Sequence, residues 1–284
     1  MSRKTLYAAL LLIVALPALS ASKPTITTSA QAINRAKQFA QDVGWRIKPE
    51  IPWEAVRITS ERSWRVSAGE QGNKAHTRQL GFTIDETTGL IRVARNDMLI
   101  KNLKPLSRPN LSPNETLGRA KGYVLQAGGS MSEMKLTGNG EDWGTTQAMH
   151  PEPWRIVYDR VHKNVNFLNQ WLSIELDQKD GALLAIRIQN TAPLPTDGKL
   201  KVTYKQAGDI ASAFLHEKHH VTGAIVHSVN LMIYPVPNNG KPPEESRYVW
   251  MVSLMIKQDY AMIGVDARSG KVLFKGGYTS GMFP

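Results

Sequence analysis

Phe82-Thr83-Ile84-Asp85-Glu86-Thr87-Thr88-Gly89-Leu90-Ile91 is the stretch on which the reading of this chain turns. Apolar residues alternate up to Asp85, polar residues intervene, and apolar residues resume after Gly89. A short Asp side chain accepts hydrogen bonds from the backbone two residues on, and Gly supplies a positive φ, so the stretch predicts strand, tight turn, strand. The same order recurs in Leu176-Asp177-Gln178-Lys179-Asp180-Gly181-Ala182-Leu183. It recurs again in Met262-Ile263-Gly264-Val265-Asp266-Ala267-Arg268-Ser269-Gly270-Lys271-Val272-Leu273. All three aspartates therefore read as turn formers and not as catalysts.

Working outward, each turn is preceded at a similar interval by a capping-box pattern: Thr28 to Gln31, Ser112 to Glu115 with Pro113 behind the cap, and Thr203 to Gln206. A hydroxyl residue followed three positions later by Glu or Gln satisfies two orphan backbone donors of a helix start. Apolar residues then follow the helical period: Ala32, Ala36, Phe39, Ala40 and Val43; Leu117, Ala120, Val124 and Ala127; Ala207, Ile210, Ala211 and Phe214. Gly44 and Gly128 are placed to close the first two helices. After each helix, on both sides of the turn, the alternation has the strand period, as in Val56 and Ile58, Trp64 and Val66, Phe82 and Ile84, and Ile91 and Val93. Later examples are Trp154, Ile156 and Tyr158; Leu172, Ile174 and Leu176; Ala182, Leu184, Ile186 and Ile188; and Tyr248, Trp250, Val252, Leu254 and Ile256. Proline-bearing connectors at 104–111 and 190–200 mark boundaries. Long loops at 128–153 and 234–246 are expected to bind something or to move.

Helix, meander and Asp-x-x-Thr-Gly hairpin together resemble the PepSY family. The first turn fits its signature fully, the third carries Ser269 for Thr, and the second departs further with Asp180. The resemblance implies an α+β fold of three tandem cystatin-like modules, each with one helix packed on an antiparallel sheet of about four strands. The expected organisation is a signal peptide at 1–22 and modules at 24–98, 106–191 and 199–279. It also implies a place outside the cytoplasm and a role in binding or inhibiting peptidases or in regulating envelope processes. The expected protein is non-catalytic and binds a peptidase or another envelope or secreted protein, with no cofactor and no metal.

The first residues support an exported chain. Arg3 and Lys4 precede an apolar run from Leu6 to Leu16 and small residues near Ser20, the layout of a cleaved secretory leader. That run is shorter than the roughly 20 residues a spanning helix needs, so no transmembrane segment is expected after cleavage, and the predicted location is secreted or periplasmic. The absence of cysteine excludes thiol chemistry, Cys-bound metal and an acyl anchor on an N-terminal Cys. A net charge of +11 suits acidic envelope polymers or acidic proteins. Without a dense Lys/Arg tract in an exported chain, nucleic acid is not an expected partner.

One constellation has the spelling of chemistry. His216-Glu217-Lys218-His219-His220 satisfies His-Glu-x-x-His, in which two imidazoles one helical turn apart hold zinc and the Glu acts as base, with His227 as a distant third ligand. Against a zinc peptidase stand the charged Lys218 inside the motif and the seven-residue step from His220 to His227. The helical period also sets His216 and His220 with Asp209 and Ser212 on the wet face. The expected reading is an exposed His-rich helix end. Glu141-Asp142 and Glu244-Glu245 lie in polar loops and are expected to be solvated.

Overall fold

The computed structural model describes residues 25–70, 77–104, 110–138, 153–238, 242–257 and 259–278. The leader assigned to 1–22, Glu141-Asp142, and Pro105 and Pro109 of the first connector lie outside the described residues. In chain order the elements are α1 (Ser29–Asp42), β1 (Trp53–Ile58), β2 (Ser63–Glu70), β3 (Thr77–Asp85), β4 (Ile91–Asn96), the short α2 (Asp97–Lys101) and α3 (Pro113–Gln126). They continue with β5 (Met134–Gly138), β6 (Trp154–His162), β7 (Val165–Leu176), β8 (Leu183–Gln189), α4 (Tyr204–His219), β9 (Ile225–Pro235), β10 (Ser246–Ile256), β11 (Asp259–Asp266) and β12 (Val272–Tyr278).

The three long helices start where their caps predict. Thr28, Ser112 and Thr203 each accept from the backbone N–H three residues on, while Gln31, Glu115 and Gln206 reach back to the cap N–H. Gly44 and Gly128, just beyond the first two helices, take φ of +76 and +84, the left-handed conformation that lets the chain leave a helix without a Cβ clash. The apolar stripe on α4 sits slightly differently from the sequence reading. Ala207, Gly208, Ala211 and Leu215 are the buried residues, and Ile210 and Phe214 flank them half-buried.

The architecture corrects the expectation of separate modules. All twelve strands belong to one mixed sheet, ordered β1-β2-β3-β4-β8-β7-β9-β10-β11-β12, with β6 also pairing β7 and β5 pairing β6. The last strands of the first two thirds pair edge to edge, Val93 with Arg187, Ala94 with Ile186 and Arg95 with Ala185. An exposed edge carries a row of unpaired donors and acceptors, and β4 and β8 satisfy each other's. Helices α1 and α3 then contribute to one continuous core over eight strands, in which Phe39, Ile84, Ile91, Val124, Ile174 and Ile186 all belong to a single cluster.

Polar contacts tie the same seam. The Trp45 indole N–H, just beyond α1, donates to the Leu183 carbonyl of β8 at 2.7 Å. Arg35 of α1 donates to Gly89 O in the first turn and to Gln126 O at the end of α3, each at 3.0 Å. Gln126 returns a bond to Asp42 O, and Ile91 N–H donates to Ala127 O.

The last third closes its own smaller core, with Ala207, Ala211 and Leu215 of α4 against Val252, Leu254, Ile263 and Val265. Among the described residues it meets the rest of the sheet through one parallel pair, Phe167 with Ile233. A small cluster of Phe167, Ala192 and Ile233 surrounds that pair.

A second correction concerns which strand residues face the core. In each hairpin the third residue after the turn glycine is a β-bulge. Arg92 is skipped between Val93–Thr83 and Ile91–Ile84, Leu184 between Ala185–Glu175 and Leu183–Leu176, and Leu273 between Phe274–Gly264 and Val272–Val265. One extra residue reverses every later side chain. Ile91 is therefore buried while Val93 faces outward, and Leu183, not Leu184, joins Ile186 and Ile188 in the helix-side core.

Candidate functional site

The three hairpin turns are built alike. Asp85 N–H donates to Leu90 O and Gly89 N–H to Asp85 O; Asp177 with Ala182 and Gly181, and Asp266 with Lys271 and Gly270, repeat both bonds. Gly89, Gly181 and Gly270 hold φ of +65, +69 and +74. The carboxylates face inward to the turn. Asp85 accepts from Thr87 N, Thr88 N and Thr88 Oγ1 at 2.9, 2.8 and 2.9 Å; Asp266 accepts from Arg268 N and Ser269 N at 2.9 and 2.8 Å; Asp177 accepts from Lys179 N at 2.8 Å.

Each turn also docks the segment that enters its helix. The N–H two residues before the cap, at Ile26, Asn110 and Lys201, donates to the carbonyl just after the turn aspartate, at Glu86, Gln178 and Ala267.

Burial raises the pKa of Asp85, but the charge of Arg92 and the donors of Thr88 outweigh it and hold the carboxyl below its usual value. Asp266 follows the same balance, burial opposed by the Ser269 and Arg268 donors and by Arg247. Their lone pairs are committed to backbone and arginine, so these groups act as clips for the hairpins.

The histidine motif is pulled apart by the fold. Helix α4 ends at His219, and His220 turns into the left-handed region at φ 53, so His216 and His220 do not stand on successive turns of one helix. Both are exposed, as are Glu217 and Lys218. His219 packs edge-on against Phe214, and His227 against Tyr260. Among the described residues no group of three or more His, Asp or Glu side chains is placed to hold a metal ion. Glu245 is paired with Arg247, whose hydrogen bonds hold its pKa down.

Two tryptophans of the strands act as tethers. Trp64 donates to Ile26 O at 3.0 Å and Trp250 to Val202 O at 2.8 Å, each fixing the chain just ahead of a helix cap.

Concave space lies on the sheet face opposite α1 and α3. One groove of about 480 Å³ crosses β1 to β4, lined by Glu54, Val56, Ile58, Arg65, Thr83 and Arg95, among others. A second, of about 650 Å³, crosses β4, β8 and β7 beside Arg92, Trp171, Arg187 and Gln189, with Pro242 and Pro243 from the last third at its rim. Thr83 and Val93 line both, so the two grooves are contiguous.

On this face Arg65 pairs with Glu61, Arg95 with Asp97 and Arg92 with Asp85. Arg187 is exposed between its cross-strand neighbours Val93 and Ser173. Val56, expected to share a core face with Ile58, is 60% exposed; Trp53 and Ala55 pack on the core in its place. None of the groove arginines stood out in the sequence, because an outward strand position looks the same whether it meets water or a partner.

No family model matches the chain, and no curated protein matches it. Among solved structures, the chain is similar to the Bacillus megaterium YpeB C-terminal domain, at 12% identity and a TM-score of 0.45, covering 90% of this chain and 100% of that one. It is also similar to an uncharacterized protein from Eubacterium rectale, at 9% identity and a TM-score of 0.46, covering 86% of this chain and 82% of that one. Among the described residues no helix is long and apolar enough to cross a membrane.

Proposed function

We propose that the protein is an exported, secreted or periplasmic, non-catalytic binding protein of the PepSY-like kind, and that it engages a peptidase or another envelope protein. The observation that carries this reading is the contiguous groove across the outer sheet face, where Val56 and arginine side chains stand open to solvent. A shallow surface mixing apolar and charged groups suits recognition of a protein segment. The commitment of the turn carboxylates to structural bonds supports a role without chemistry. Strand addition, a mode the resemblance invites, is limited by the fold. The β4 and β8 edges are consumed by each other, while β1 and β12 end the main strand path.

The test is a crosslinked capture from the envelope fraction, with the purified protein as bait, alongside assays of extracellular peptidases. A specific captured protein, or a peptidase whose rate falls on addition of the bait, is the expected result. Failure of both would refute the reading. The charge of +11 favours a second reading, a basic scaffold held on acidic envelope polymer. Salt-sensitive retention on anionic envelope material, with no protein partner, is the result that reading expects.

A further inference from the structure

We infer that the occupant of the outer-face groove is an acidic segment of another protein, laid across the strands with its carboxylates on Arg187 and its apolar side chains on Val56, Ile58 and Val93. The inference rests on the binding reading above and names the chemistry of its partner.

Charge complementarity selects the sign. The grooves are also lined by Glu54, Glu61 and Asp97, and Arg65, Arg92 and Arg95 are matched by Glu61, Asp85 and Asp97 within ion-pair distance, so the guanidinium left to receive a carboxylate is that of Arg187. Among the described residues none is recorded within that distance of Arg187, which stands over the second groove between Val93 and Ser173. Arg92 lines the same groove, but Asp85 holds its guanidinium and its Nε is buried, which leaves Arg187 as the donor open to a ligand. A guanidinium presents planar, paired donors matched to a carboxylate. The chain's overall +11 charge steers acidic partners toward it.

The apolar lining selects the class. Val56, Ile58, Val93 and Trp171 line the grooves, with Arg65 beside Val56 and Arg187 beside Val93 across the strands. A purely ionic polymer would leave these apolar surfaces wet, whereas a peptide with alternating acidic and apolar residues covers both. Dimensions agree: from β1 to β7 the face crosses six strands, about 24 Å at roughly 4.8 Å per step. That width matches about seven residues of extended chain.

The experiment titrates the full chain calorimetrically with a blocked seven-residue peptide alternating Glu and Val. The comparison probes are the same peptide with Lys for Glu, and an oligogalacturonate of similar charge. Arg187→Gln, Arg187→Lys and the remote exposed Lys218→Gln are measured in parallel, with circular dichroism as the check on folding. The acidic peptide is expected to bind, Arg187→Gln to weaken it about tenfold, Arg187→Lys to recover part of the loss, and Lys218→Gln to leave it unchanged. The lysine peptide is expected not to bind.

Equal weakening by Arg187→Gln and Lys218→Gln would overturn the inference by showing a net-charge effect alone. So would preference for the oligogalacturonate, or no binding of the acidic peptide. If envelope proteins are captured equally by wild type and Arg187→Gln, the binding reading survives and this groove is not its seat. If neither captures any, the binding reading itself fails.

Discussion

The strands β1 to β8 and the strands β9 to β12 are made from the same ingredients, a capped helix and a bulged hairpin, yet they close their cores differently. In the first region two helices and two four-strand sets share one interior, because β4 and β8 pair and Trp45, Arg35 and Gln126 cross the seam. In the second region one helix and four strands suffice, and among the described residues the strand-to-strand tie to the rest is the parallel pair of Phe167 with Ile233, plugged by Ala192. Local sequence sets the hairpins, while the pairing of edges decides how many of them make one cooperative body.

Emptying the shared core should have the largest effect. Ile186 is fully buried on β8 at the seam, and Ile186→Ala is expected to cost about 2–5 kcal/mol. In hydrogen exchange, protection should fall together in α1 and α3 while α4 keeps most of its own; a loss confined to α3 would mean that the first two thirds fold separately.

The smaller region has its own weak point. A Cβ on Gly264 would lie 2.2 Å from the Phe274 ring that covers it across the hairpin. Gly264→Ala should therefore cost up to about 3 kcal/mol by overpacking and lower the thermal transition of the last third selectively.

Arg160 governs the joint between the regions. It donates to Asn190 O and Ala192 O at 3.2 and 2.5 Å, pairs with Glu133, and stacks over Phe167 at 4.3 Å. Arg160→Met should cost about 2 kcal/mol, less than for a fully buried pair because Glu133 remains partly solvated. It should also split one calorimetric transition into two. An unsplit transition in both proteins would mean that the joint is stronger than its contacts indicate.

Acid should act on both regions through their turns. The folded pKa values of Asp85 and Asp266 lie below the ordinary 3.8, so both contribute stability at neutral pH that is lost as the pH falls from about 4 through their folded values. Asp85→Asn and Asp266→Asn should each flatten that loss, the first for the larger region and the second for the smaller. Unchanged acid curves would remove the clip role. The smallest effect is expected at the caps: Thr28→Ala and Thr203→Ala should each cost about 1 kcal/mol, detectable as small shifts in denaturant midpoint.

Much of the local structure was legible in the chain itself. Capping boxes at Thr28, Ser112 and Thr203 and glycines at 44, 89, 128, 181 and 270 encode backbone geometry within a few residues, and the structure places them as read. The bulges at Arg92, Leu184 and Leu273 were not legible, since a period-2 pattern assumes an unbroken ladder. They are the reason Val93 faces the groove and Leu184 leaves the helix-side core. Nor could the pairing of β4 with β8 be read, because edge compatibility between distant strands leaves no periodic mark. The candidate binding face depends on both, and so it emerged only from the fold.

The first two thirds are one body joined strand to strand, and a Val93→Cys/Arg187→Cys double variant in this cysteine-free chain probes that joint at its register. These residues are register partners on β4 and β8, which sets their Cα atoms at about 4.5–5.5 Å, within reach of a disulfide. Mild oxidation is predicted to give an intramolecular bridge, seen by mass spectrometry as a 93–187 crosslinked peptide from monomeric protein. Two free thiols, or bridges between molecules alone, would mean that β4 and β8 do not pair.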